Sequence, residues 1–125
     1  MEGYKKDLTC KMDKYVHFVY KISRQFPKEE LYGAVSQFRR ATLSIILNYI
    51  EGYARKKIKS QLNFFETSYG SLKESKYLLY FSFIEKYLTQ AEYHIGLNLI
   101  EEIGAMLWTE ISSLEKSIKN SDKYN

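Results

Sequence analysis

Residues 28–57 read KEELYGAVSQFRRATLSIILNYIEGYARKK. Along this stretch Leu31, Val35, Phe38, Thr42, Ile45, Tyr49 and Gly52 recur at steps of 4, 3, 4, 3, 4 and 3. That rhythm puts them on one stripe of an α-helix, with the polar residues on the other faces. Pro27 stands just before the stretch and suits the first turn, where its missing N–H is not needed, and Glu29 and Glu30 favour the positive helix end. Arg55, Lys56, Lys57 and Lys59 mark the other end, where basic side chains suit the negative pole of the helix.

The same rhythm continues on both sides. Leu8, Met12, Tyr15, Val19, Ile22 and Phe26 step by 4, 3, 4, 3 and 4 and predict a first helix over about 5–25. It stops at Phe26, because a residue before proline is pushed away from helical angles. The second helix spans about 28–57. Ser60 is a suitable N-cap for a third over about 61–87, whose apolar face includes Leu62, Phe65, Tyr69, Leu72, Leu79 and Phe83. Thr89-Gln90-Ala91-Glu92 reads as a capping box and opens a fourth over about 90–117. Leu99, Ile100, Ile103, Leu107, Ile111, Leu114 and Ile118 point inward, and the polar tail 120–125 is expected to fray.

Long helices joined by short connections lie antiparallel to their neighbours in sequence. The expected fold is therefore all-α, an antiparallel up-and-down four-helix bundle forming one domain over 1–125. Gly33, Gly52, Gly70, Gly96 and Gly104 fall inside predicted helices, where each costs ~1 kcal/mol relative to alanine. Counting out from a turn near Lys59 sets Asn48 level with Gly70 and Gly52 level with about Glu66. Close approach of helices 2 and 3 there would offset the cost.

The composition fits one folded domain. Of 125 residues, 45% are apolar and 27% charged, which excludes a disordered chain. Cys10 is the only cysteine, so no intrachain disulfide forms and nothing points to an oxidising compartment. The start has no apolar stretch of signal-peptide length, and runs such as LSIILNYI fall far short of the ~20 residues of a membrane span. The expected location is the cytoplasm, without membrane contact. The net charge of +4 is uneven: residues 1–60 hold 13 basic and 6 acidic residues, residues 61–125 hold 6 and 9. An acidic partner such as nucleic acid suits the first half, and an ordinary mixed surface is the competing account.

Catalytic and metal chemistry have no foothold. Di-iron bundles use Glu-x-x-His pairs, and neither His17 nor His94 has a glutamate three residues earlier. Two lone histidines and one cysteine make no zinc set. Cys10 and His17 could share a helix face, but a partly buried thiol beside an aromatic is the favoured account. There is no Gly-rich phosphate loop. No cofactor, metal or enzymatic activity is expected. Aromatic residues exceed what one core of this size needs, so some are assigned to an oligomer interface.

Polar residues inside helices 2 and 3 are placed with more order than a solvated face requires. Arg40, Ser44, Asn48 and Glu51 make one stripe at steps of 4, 4 and 3, and Ser71, Glu74 and Ser75 make another. Antiparallel pairing brings the stripes together as a half-buried network. Such a network fixes helix register or a subunit contact, and a binding site is the alternative.

Phe26-Pro27-Lys28-Glu29-Glu30, Tyr32-Gly33, Ser36-Gln37, Arg39-Arg40-Ala41, Ser44-Ile45, Asn48, Glu51-Gly52 and Arg55, with Gly70-Ser71-Leu72 and Glu74, together carry a resemblance. Over about residues 7–118 the chain resembles the bacterial four-helix-bundle proteins encoded in 23S rRNA intervening sequences. It also resembles the related accessory proteins of diversity-generating retroelements. The chain has Ile46 where that family often has proline, and Leu47 and Ile50 where it often has small residues. The resemblance implies a homopentameric ring without established enzymatic activity. It further implies a basic surface for RNA or DNA, and a reverse transcriptase or ribosomal protein as possible partner. Arg39, Arg55, Lys56, Lys57 and Lys59 are the residues assigned to that surface. Two functions therefore compete: an oligomer that binds nucleic acid directly, and a protein-binding scaffold that reaches nucleic acid only through its partner.

Overall fold

The structure is a computed structural model and describes residues 2–123 of the chain. Four helices account for most of it: α1 (Glu2–Ser23), α2 (Ser36–Tyr53), α3 (Ile58–Ile84) and α4 (Gln90–Lys123). Each packs on the next and α4 closes against α1, so the chain forms the expected antiparallel up-and-down four-helix bundle. Among the described residues there is no strand.

The core follows the apolar stripes. Leu8, Met12, Tyr15, Val19 and Ile22 of α1 meet Phe38, Ile45 and Tyr49 of α2, Phe65, Leu72 and Leu79 of α3, and Ile100, Ile103, Leu107 and Ile111 of α4. On α3 that stripe is only half apolar. Phe65, Leu72 and Leu79 alternate with buried Ser68, Ser75 and Ser82, each serine three residues after its apolar partner. These small side chains let α2 and α3 come close. The Ser68 hydroxyl donates to the backbone carbonyl of Ile45 on α2 at 2.6 Å. Gly52 completes the approach, since a Cβ there would lie 2.6 Å from the Phe65 ring and 3.2 Å from the Phe64 Cβ. The close contact expected near Glu66 is thus present. Gly70 is different: nothing lies within 4 Å of the Cβ position there, so it plays no part in the approach.

Helix ends differ from expectation in three places. The second helix does not run unbroken from residue 28. Pro27 is extended, at φ −55° and ψ 142°, and is followed by a 3-10 turn (Lys28–Glu30) and a wide π-type turn (Leu31–Val35). Gly33 leaves helical angles within that turn, and the Glu30 carboxylate accepts the Ala34 N–H at 3.0 Å. The regular helix begins only at Ser36.

At its other end α2 stops at Tyr53, and α3 starts at Ile58 with Lys57 as its N-cap. Ser60 therefore sits inside the first turn, and no side chain caps it: lysine offers only donors where an acceptor is needed. The third deviation is at the end of the chain. Residues 120–123 continue α4, where fraying was expected, and residues 124–125 of that tail lie outside the described residues. The capping box at α4 is present as read. The Glu92 N–H donates to Thr89 Oγ1 at 3.1 Å and the Thr89 N–H donates to Glu92 Oε1 at 2.8 Å.

Candidate nucleic-acid interface

The turn joining α2 to α3, Ala54-Arg55-Lys56-Lys57, collects the basic residues for a simple reason: too few apolar side chains remain there to keep either helix going. Lys56, Lys57 and Lys59 are exposed and form no ion pair among the described residues. They surround the uncapped start of α3, whose first-turn N–H groups carry the positive end of the helix dipole. Anions are favoured at such a terminus, and lysines beside it strengthen the preference.

Arg55 belongs to the turn but is already engaged. Its guanidinium donates to Glu51 Oε1 at 2.5 Å and lies 4.8 Å from the centre of the Phe64 ring. Arg39 is elsewhere. It sits on α2, 14 residues before Tyr53 at the end of that helix, a rise of ~21 Å at 1.5 Å per residue. Its Nε donates to Ser23 Oγ at 2.9 Å and its Cζ stacks 4.5 Å over the Tyr20 ring. Arg39 clamps α2 to the end of α1 and is not part of a surface with Lys56, Lys57 and Lys59. Conversely, Lys5 does lie at this end, its ammonium 4.6 Å from the centre of the Tyr53 ring. Antiparallel topology was the signal for it, because the start of α1 must stand beside the end of α2.

The two polar stripes meet in part. Ser44 and Ser71 hydroxyls bond at 2.7 Å, and the Asn48 amide donates to both the Ser44 carbonyl and hydroxyl at 2.9 Å. Arg40 and Glu74 flank them, exposed, along a cleft that Gln37 and Ala41 also line. Glu51 leaves the network for Arg55. Ser75 turns inward, where its hydroxyl bonds Tyr15 at 3.0 Å and Thr42 at 2.8 Å. Burial holds the Tyr15 phenol well above its ordinary pKa, so it keeps its proton within this network.

A second polar group escaped the sequence reading. Glu110 of α4 is 6% exposed and accepts hydrogen bonds from the hydroxyls of Tyr49 and Tyr53. Burial, and then the bonds to Glu110, raise both phenols; Tyr53 is pushed up to about 12 and Tyr49 higher still. Ile103, Leu107, Glu110 and Leu114 step by 4, 3 and 4, so Glu110 occupies a place on the inward stripe. A charged residue in that rhythm was the available signal.

Cys10 is exposed rather than partly buried, and His17 pairs with Asp13 at 3.3 Å. Among the described residues no group of three His, Cys, Asp or Glu could hold a metal ion, and no helix is long and apolar enough to cross a membrane.

No curated protein matches the chain. Among solved structures it is similar to a Bacteroides thetaiotaomicron protein of unknown function from the S23 ribosomal protein family. The TM-score is 0.80 at 18% identity, over 87% of this chain and 98% of that one, a likeness of fold. Residues 6–109 match the family described as 23S rRNA-intervening sequence protein. That match runs from Lys6 in α1 through α2 and α3 to Thr109 within α4, and the chain belongs to the 23S rRNA-intervening sequence protein family.

Proposed function

We propose that the protein is a non-enzymatic helical scaffold that self-associates and binds nucleic acid through the lysines of the α2–α3 turn. The observation that carries this reading is the trio Lys56, Lys57 and Lys59, exposed and without ion pairs among the described residues, around an uncapped helix start. Phosphates are the fitting counter-charge, and the contact is with the backbone, so little sequence preference follows. The family resemblance supports a ring of five copies, whose charge of +4 per chain would be repeated around it. Repetition converts a weak contact per subunit into avidity.

The test is the molar mass by light scattering behind a sizing column, with and without a generic single-stranded RNA, at low and moderate salt. A multi-subunit mass that increases with RNA at low salt supports the reading. A monomer indifferent to RNA overturns it.

A second reading, a protein-binding scaffold that serves a reverse transcriptase or ribosomal protein, is favoured by a different observation. Leu47 and Ile50 on the outer side of α2 are 58% and 48% exposed. Apolar residues of this size on an outer face suit a protein contact. An assembled protein that ignores RNA at every salt concentration but is captured by such a partner would favour this second reading.

A further inference from the structure

At the end of the bundle where α1 begins, all four helices contribute to an open pocket of about 250 Å³. Tyr4, Tyr53 and Phe65 give it aromatic walls, Gln61 and exposed Ser113 add polar groups, and Glu110 is its buried acid. Pockets between the helices of a bundle are common ligand sites, typically apolar with a few convergent polar groups. The volume equals about eight waters at ~30 Å³ each, enough for one small aromatic molecule.

The acid is the informative member. A buried carboxylate normally has a positive partner, because burying an isolated charge is expensive. Among the described residues Glu110 forms no ion pair. Its two oxygens each accept one tyrosine hydroxyl, and each keeps a further lone pair. Lys5, the basic residue at hand, rests on the Tyr53 ring rather than on the carboxylate. Aromatic faces attract cations in their own right. A carboxylate lacking its counter-charge therefore stands beside aromatic walls in a cavity that opens to solvent.

We propose that this pocket binds a small organic monocation with a flat apolar body, of the amidinium, guanidinium or arylammonium class. The cationic N–H groups bond Glu110 and the body lies against Tyr4, Tyr53 and Phe65. This site is independent of the lysines of the α2–α3 turn, and neither reading depends on the other.

Benzamidine is the probe and benzamide its neutral counterpart of the same shape, each titrated at millimolar concentration into the full chain and followed by amide NMR shifts. Benzamidine is expected to shift signals around Tyr53 and Glu110 and to bind at least about tenfold more tightly than benzamide, as a charge-assisted bond requires. Glu110→Gln should lose that preference. Ser113→Phe, made at an exposed position that no Glu110 bond uses, should block benzamidine by filling the pocket mouth, and it decides the matter if Glu110→Gln does not fold. No shift with benzamidine, equal binding of benzamide, or unchanged binding by Ser113→Phe overturns the proposal.

Discussion

The Cβ that Gly52 lacks would lie 2.6 Å from Cε1 of Phe65, so a glycine on α2 and a ring on α3 share one space. Phe65 is itself buried and stacks on Tyr49, with ring centroids 5.0 Å apart, so it cannot swing clear. Gly52→Ala should therefore destabilise the fold by about 1–3 kcal/mol, the usual cost of overpacking, despite alanine's better helix propensity. Gly70→Ala meets nothing within 4 Å and should stabilise by ~0.5–1 kcal/mol. Urea unfolding of the two variants checks the pair. A stabilised Gly52→Ala would mean the helices are further apart than described.

Ser75 holds the middle of the same helix pair. Its hydroxyl links Tyr15 of α1 to Thr42 of α2, all three being buried. Ser75→Ala leaves the Tyr15 phenol and the Thr42 hydroxyl without that partner, a loss of about 1–3 kcal/mol. Adding Tyr15→Phe removes one orphaned group, so the double variant should lose less than the two single losses combined. Strict additivity would show that the bond contributes nothing.

How far the sequence reaches is visible in these two helices. Steps of 3 and 4 in α1, α2 and α4 mark the inward stripes, because apolar burial dominates and helical geometry fixes its period. On α3 the apolar face of Leu62, Phe65, Tyr69, Leu72, Leu79 and Phe83 does pack on the core, but Ser68, Ser75 and Ser82 look polar although all three are buried. Serine can face inward here because it needs one partner and finds it in a backbone carbonyl or a neighbouring hydroxyl. Helix ends were less legible for a related reason. Ser60 is the better cap by chemistry, yet the packing of Gly52 against Phe65 fixes how short the turn must be, and Lys57 falls at the cap position. Of the candidate interface, the lysine cluster was legible as a charge run. Arg39 was misplaced because charge alone does not say which end of a helix a residue serves.

The start of α4 should respond to acid. Burial raises the Glu92 carboxyl, but the Thr89 N–H, the Gln25 amide at 2.9 Å and the Thr89 side chain outweigh it and leave the pKa below the ordinary carboxylate value. A carboxylate depressed in the folded state stabilises it above the unfolded pKa of ~4.3, and that stability is lost as pH falls through the folded value. Wild type should therefore lose stability relative to Glu92→Gln as pH falls below the unfolded value of ~4.3. Thermal unfolding above and below that pH measures it, and a constant difference between the two proteins would rule out the bonds. Thr89→Ala should independently cost ~1 kcal/mol as a lost cap.

The α2–α3 turn yields a prediction in both directions. If phosphates meet Lys56, Lys57 and Lys59, each lysine neutralised to glutamine should make the log–log dependence of RNA affinity on salt shallower by about 0.7, the single-strand value per phosphate contact. Glu51 works against that contact, because its carboxylate holds Arg55 in an i, i+4 pair at 2.5 Å. Such an exposed pair contributes little to stability, so Glu51→Gln should leave the fold intact while releasing a guanidinium at the turn. RNA binding should then tighten and its salt dependence steepen. Arg39→Gln, at the far end of α2 and bonded to Ser23, should leave the slope unchanged even if it loosens the contact with α1. Fluorescence anisotropy with a labelled single-stranded RNA at several salt concentrations separates these outcomes. A slope altered by Arg39→Gln but not by the three lysine changes would place the RNA at the α1–α2 end. A slope unaffected by any of the substitutions would take RNA off the turn and leave Leu47 and Ile50, with a protein partner, as the working surface.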